Sequence, residues 1–166
     1  MRCSIESQRL RLRNFTLADT EAYFEMTQDQ DIRRYVPYCF SRSFKGTREL
    51  IKDYIRGDCI HDFYLLLEEK ESKQIVGAII ATTNRFFTQL DVAIMTKTSF
   101  RNQGYMKEAL DAFIAYLPKD TVLSFVVEQS NTSSLNTIGH IKGIEETTSQ
   151  THPEKRDHIR SFRYVV

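Results

Sequence analysis

A strand-like run, Leu90 to Thr96, is followed by the loop Arg101-Asn102-Gln103-Gly104-Tyr105-Met106, and the loop opens directly into a helix. This order constrains the fold more than any other stretch of the chain. Met106, Ala109, Leu110, Phe113 and Leu117 recur at i, i+3, i+4, i+7 and i+11, a single apolar stripe. Pro118 stops the helix, and Thr121 to Val127 supplies a β-branched, buried strand. Strand, loop, helix and strand make a βαβ crossover with its two strands parallel, which puts the loop at the carboxyl end of a strand, where open α/β sheets bind ligands. The first helical turn presents unpaired N–H groups and a positive dipole end. Gly104 lets the main chain approach an anion closely, and Arg101 adds a charge-assisted donor at the mouth. The segment therefore suits a pyrophosphate cradle, although a lone glycine before a helix more often marks a plain tight turn than a ligand site.

The rest of the chain fits around this unit as an α/β (α+β) domain. Gln8 to Asn14 alternates leucine with arginine, the period of a half-buried strand. Thr16 and Asp19 form a capping box for a helix running towards Asp29, with Ala18, Ala22, Tyr23 and Met26 on its apolar face. A second helix is expected over Thr47 to Arg56, with Leu50, Ile51, Tyr54 and Ile55 on one face and Gly57 as its stop. Phe63 to Glu68, Ile75 to Thr82 and Thr88 to Thr96 read as an antiparallel meander. Asn131 caps a short helix carrying Leu135, Ile138 and Ile141. Gly143 to Ser149 and Ile159 to Val166 read as a closing hairpin, with His152 and Pro153 in its connection. The expectation is a mixed central sheet of about seven strands flanked by about four helices.

With 166 residues, 41% hydrophobic and 27% charged, and no low-complexity linker, the chain reads as one domain over 1–166. A net charge of +1 argues against a broad nucleic-acid surface. Cys3, Cys39 and Cys59 are widely spaced, with no CxxC pair and no histidine in ligand register, so reduced thiols and no metal are expected. His61, His140, His152 and His158 are scattered without a nucleophile and carboxylate pattern. No apolar leader or run of about 20 apolar residues is present, and a cytoplasmic protein without membrane or nucleic-acid partners is expected.

The loop resembles the acetyl-CoA signature of the GNAT N-acetyltransferase superfamily, [QR]-x-x-G-x-[GA]. Arg101 and Gly104 occupy its two defining positions, and Met106 departs from the final Gly/Ala. Gly-Tyr-Met-x-Glu-Ala-Leu is similar to the branch that includes ribosomal-protein alanine/serine N-terminal acetyltransferases. Asn131-x-x-Ser134, followed by a helix and Gly143, resembles the second family motif at the family's order and spacing. The resemblance implies acetyl-CoA as cosubstrate. Its pantetheine would pair with Ile94, Met95 and Thr96, its pyrophosphate with Arg101, Asn102, Gln103, Gly104, Tyr105 and Met106, and its sulfur end would lie near Asn131 and Ser134.

Chemistry follows in the same terms. Asp91, where relatives carry a glutamate, and Glu128, at the end of the next strand, are the candidate bases; a buried strand-end carboxylate with a raised pKa would serve. Ser134 is the candidate donor to the departing thiolate, with helix capping as the plain alternative for it and for Asn131. Glu154 is a further candidate for the acceptor site. The expected reaction is direct transfer in a ternary complex to a primary amine, first a protein or peptide α-amine and second a polyamine or aminoglycoside. Glu21, Glu25, Asp29 and Asp31 would suit a polycation, but Arg33 and Arg34 follow at once. A non-catalytic acyl-CoA-binding module is the alternative from another class. Monomer and homodimer are both compatible with the sequence.

Overall fold

The computed structural model describes residues 3–57, 61–84, 86, 88–147 and 158–166. Cys59, His152, Pro153 and Glu154 lie outside the described residues. The elements run β1 (Ser4–Glu6), β2 (Leu10–Asn14), α1 (Thr20–Met26), α2 (Gln30–Tyr35), α3 (Phe44–Gly57), β3 (Phe63–Glu69), β4 (Ile75–Thr83), β5 (Leu90–Thr96), α4 (Tyr105–Tyr116), β6 (Val122–Glu128), α5 (Thr132–Ile138), β7 (Glu145–Thr147) and β8 (Ile159–Val165). They build one mixed eight-stranded sheet in the order β1-β2-β3-β4-β5-β6-β8-β7.

The chief departures from the sequence expectation lie near the amino terminus, and α5 ends at Ile138, short of Ile141. The polar β1 pairs with β2 through Ile5 and Leu12, adding a strand at the edge that no alternation announced. The first helix does not run on to Asp29. A 3-10 turn at Leu17–Asp19 leads into α1, which stops at Met26. There the Thr27 hydroxyl donates to Tyr23 O at 2.9 Å, and Asp29 caps α2 by accepting the N–H groups of Asp31 (3.0 Å) and Ile32 (3.1 Å). Short polar side chains that compete for backbone groups end one helix and start the next. The expected box does form, with both the N–H and the hydroxyl of Thr16 donating to Asp19 Oδ2. Asp19 is buried, which raises its pKa, yet hydrogen bonds from Arg13 and Thr16 outweigh burial and hold it below the usual carboxylate range.

The sheet is apolar on both faces where helices cover it. Leu10, Leu12, Leu65, Leu67, Leu110, Phe113, Leu123 and Phe125 form the core on the α4 side. Tyr23, Ile51, Tyr54, Leu66, Ala78, Ile80 and Met95 form the core beneath α1, α2 and α3. Strand period two sends alternate residues to the two cores. On the second face the cover ends near β5. Val126 of β6 remains 52% exposed and Val165 of β8 47% exposed, so this part of the sheet is an open floor.

The parallel pair β5 and β6 decides the shape of the molecule's centre. It is in register only at Leu90↔Leu123 and Asp91↔Ser124. Beyond that point β5 stays with β4, as far as Gly77↔Thr96, while β6 stays with β8, as far as Glu128↔Ile159. The two strands part and leave a wedge open towards their carboxyl ends. Gly77 permits the close approach of β4 to β5, because a Cβ there would stand 2.2 Å from Met95 O.

Candidate active site

The cradle loop stands at the mouth of this wedge. Asn102 and Gly104 both adopt left-handed backbone conformations, with φ of 61° and 77°. Gly104 caps α4 without a side-chain hydrogen bond. The N–H groups of Gly104, Tyr105 and Met106 have no hydrogen-bond partner among the described residues, and Asn102, Gln103 and Gly104 are exposed. Free donors, a helix N-terminus and no side chain at Gly104 fit an anionic pyrophosphate.

Side chains from the far end of the sequence fix the first turn of α4. Glu108 accepts from Arg9 N, Arg9 Nε and Ser7 Oγ, each at 2.7 Å. Burial alone would raise the Glu108 pKa, but these three donors prevail and lower it. The Arg9 guanidinium lies 4.1 Å from the centroid of the Tyr105 ring and donates to Gln103 O at 3.1 Å. Tyr105 meets Phe100 edge-on, and both Tyr105 and Met106 turn their side chains into the core. Neither Ser7 nor Arg9 belongs to any motif; both sit in the turn between β1 and β2, which only the fold brings to the first turn of α4.

Arg101 is placed differently from its expected role as donor at the mouth. Its Nη2 lies 2.7 Å from Asp29 Oδ1, its Nη1 3.1 Å from Asp31 Oδ2, and its Nε 3.3 Å from Thr96 O. Two carboxylates on α2 and its cap outcompete an exposed loop for this cation, because the planar fork can serve both at once.

The wedge has a small opening of about 90 Å³ on the cradle side, where Ile94, Met95 and Thr96 meet Arg101, Met106, Asn131 and Ser134. Sequence reasoning missed Ile32 and Tyr35, which line the same opening from α2 together with Asp31, read from the sequence only as one of the acids suited to a polycation. Asn131 Oδ1 accepts the Ser134 N–H at 3.2 Å, so the capping contact is present. Ser134 is half-buried, and its hydroxyl has no hydrogen-bond partner among the described residues.

On the other side of the wedge is a cleft of about 1340 Å³, floored by β6 and β8 and walled by α2, with Tyr35, Tyr38, Phe86 and Val126 in its lining. Tyr35 lines both openings. Asp91 and Glu128 both face this cleft. Asp91 is not a buried strand-end group: it is the second residue of β5, exposed, and accepts from Gln89 Nε2 at 2.9 Å. Glu128 ends β6 and accepts from Ser130 Oγ at 2.6 Å and Arg34 Nη2 at 2.7 Å. The Ser130 hydroxyl first and the Arg34 guanidinium second hold its carboxyl below the usual range. Among the described residues no group of three His, Cys, Asp or Glu side chains could hold a metal ion. No helix among them is long and apolar enough to cross a membrane.

A family profile described as an acetyltransferase (GNAT) domain matches residues 9–143. The chain belongs to the GNAT acetyltransferase family. As a member it is an N-acetyltransferase with acetyl-CoA as its acyl donor, and the free donors above Gly104 fit that ligand's pyrophosphate. The uncharacterized N-acetyltransferase YnaD of Bacillus subtilis (strain 168) is 25% identical over 130 residues, covering 74% of this chain and 70% of the relative. A solved acetyltransferase from Salmonella typhimurium, which modifies the N-terminal serine of ribosomal protein L7/L12, superposes with a TM-score of 0.78 at 12% identity over 99% of each chain. The spermidine N-acetyltransferase of Vibrio cholerae, solved with CoA and spermine, superposes with a TM-score of 0.72 at 15% identity over 95% of each chain. At these identities the structural likeness speaks for the fold, which accommodates acceptors of two kinds.

Proposed function

We propose that residues 1–166 act as one N-acetyltransferase domain that acetylates the α-amine of a peptide or protein by direct transfer in a ternary complex. The observation that carries this reading is the charge balance of the larger cleft. Its lining holds two carboxylates, Asp91 and Glu128, and two guanidinium groups, Arg34 and Arg163. Glu128 is already ion-paired with Arg34. A polyamine carrying several positive charges gains from a surplus of carboxylates, and the described residues of the lining carry no such surplus. Tyr35, Tyr38 and Phe86 instead give it the apolar area that an extended peptide uses.

Acetyl-CoA supplies an activated thioester. The N–H groups at Gly104, Tyr105 and Met106, with the exposed Asn102 and Gln103 beside them, hold its pyrophosphate. The open edge of β5 at Ile94, Met95 and Thr96 aligns its pantetheine arm through the wedge. In our reading Asp91 takes the proton of the attacking amine, and Ser134 donates a hydrogen bond to the sulfur as the C–S bond breaks and the C–N bond forms. Glu128, held anionic by its partners, orients Arg34 rather than accepting the proton. An α-amine with a pKa of about 7.7–8.0 is already partly neutral near physiological pH, so it asks little of the base. The protein contributes chiefly alignment of two bound substrates.

The test is acetyl transfer to short peptides with free N-termini, compared with the same peptides blocked at the terminus and carrying an internal lysine, and with spermidine. Mass spectrometry should place the acetyl group on the α-nitrogen. The preference over lysine should narrow as pH rises, since the neutral fraction of the ε-amine grows about tenfold per pH unit below its pKa. Turnover confined to spermidine or an aminoglycoside would refute the peptide reading. Coenzyme A binding with no thiol release across all acceptors would leave an acyl-CoA-binding module.

A further inference from the structure

We propose that Arg101 is a positioning residue for the amine acceptor rather than a ligand of the coenzyme phosphates, because it fastens α2 to the loop that leads into α4. The Arg101 side chain is 25% exposed, and its three nitrogens are committed to Asp29 Oδ1, Asp31 Oδ2 and Thr96 O. Thr98 Oγ1 donates to the second oxygen of Asp29 at 2.5 Å. The amino-terminal end of α2 is thereby tied to the segment that follows β5.

The other end of α2 is tied across the wedge. Arg34 Nη2 meets Glu128 Oε1 at 2.7 Å, and the Tyr35 hydroxyl lies 3.2 Å from Ser130 Oγ. Thus α2 is a crossbar between the carboxyl ends of the two splayed strands. Its residue Tyr35 stands where the small opening and the large cleft meet. Displacing the Arg101 end shifts Arg34 and Tyr35 in the cleft but leaves the free N–H groups of Gly104, Tyr105 and Met106 where they are. A displacement of this kind acts on the alignment of the acceptor, and small misalignments cost reactions dearly.

The inference rests on the reading of the larger cleft as the acceptor site, while its coenzyme arm is independent of that reading. Two variants separate the possibilities. Arg101→Gln keeps a residue the family signature allows and removes the charge pair. Asp29→Asn keeps a helix cap of equal quality and removes the same pair from the other side. For both, calorimetry should give a coenzyme A Kd within about threefold of wild type. The acceptor KM should rise about tenfold to 10²-fold for Arg101→Gln and by a smaller factor for Asp29→Asn. The double variant should be no worse than Arg101→Gln alone, since both remove one interaction.

Hydrogen exchange should show lost protection in α2 and unchanged protection in α4. A tenfold or greater loss of coenzyme A affinity in Arg101→Gln, with Asp29→Asn unaffected, would return Arg101 to the phosphates and overturn the proposal. Additive effects of the two substitutions on acceptor KM would also overturn it. If the wild type accepts no amine tried, retained coenzyme A affinity with loosened α2 still supports the tether, and lost affinity still refutes it.

Discussion

Gly104 offers a test that separates a tight turn from a ligand cradle. Its φ of 77° and ψ of 2° lie in the left-handed region. A Cβ added there would find only Arg9 Nη2 within reach, at 3.6 Å, which is ordinary van der Waals contact. The cost of Gly104→Ala is therefore conformational rather than steric, about 1–2 kcal/mol. For a chain of this size, that corresponds to a drop in Tm of about 2–8 °C. Asparagine tolerates the left-handed region, so Gly104→Asn should lose much less stability. Coenzyme A at about 100 times its Kd adds about 2.7 kcal/mol to the wild type, an upward shift of about 5–11 °C. If the main chain must approach the pyrophosphate, any side chain at 104 obstructs it, and Gly104→Asn should keep its melting temperature while losing most of that ligand-induced shift. Thermal denaturation with and without coenzyme A, followed by calorimetry of binding, reads both quantities. Wild-type coenzyme A affinity in Gly104→Asn would reduce Gly104 to a turn residue, and an undiminished Tm in Gly104→Ala would show that the strain reasoning fails.

Two further outcomes follow from the site and its supports. Ser134→Ala and Asp91→Asn should each lower kcat by about 10–10³-fold with coenzyme A affinity retained; unchanged turnover in steady-state assays would leave Ser134 a capping-turn residue and Asp91 a surface carboxylate. Glu108, whose folded pKa lies below its ordinary value of 4.5, contributes linkage stability that is present above that value and lost as pH falls through the lowered folded pKa. The Tm of wild type should therefore exceed that of Glu108→Gln at neutral pH, with the gap closing in acid, and a gap independent of pH would contradict the assignment.

The local features of this molecule were legible in the sequence because their causes are local. The apolar stripe from Met106 to Leu117 builds α4, the alternation of Leu10 and Leu12 with arginines builds β2, and Asn131 caps α5. The Thr16 and Asp19 box also formed, since its partners are three residues apart. The end of α1 is the local exception: Thr27 and Asp29 act through hydrogen bonds to residues two to four positions away, which apolar periodicity does not register.

What the tertiary structure alone decided is where long, charged side chains find partners. Arg101 reads as an anion ligand in its own loop, yet Asp29 and Asp31 lie within reach only after α2 has packed beside β5. Glu128 reads as a free base at a strand end, and the fold gives it Arg34 from 94 positions away. Ser7 and Arg9 anchor the cradle helix through Glu108 with no motif to announce them. The wedge itself depends on β5 following β4 while β6 follows β8, a competition between strand pairings settled across the whole sheet. Periodicity and capping are set by neighbours along the chain, so residues spell them out. Ion pairing and strand divergence depend on distances in space, which no spacing along the chain encodes.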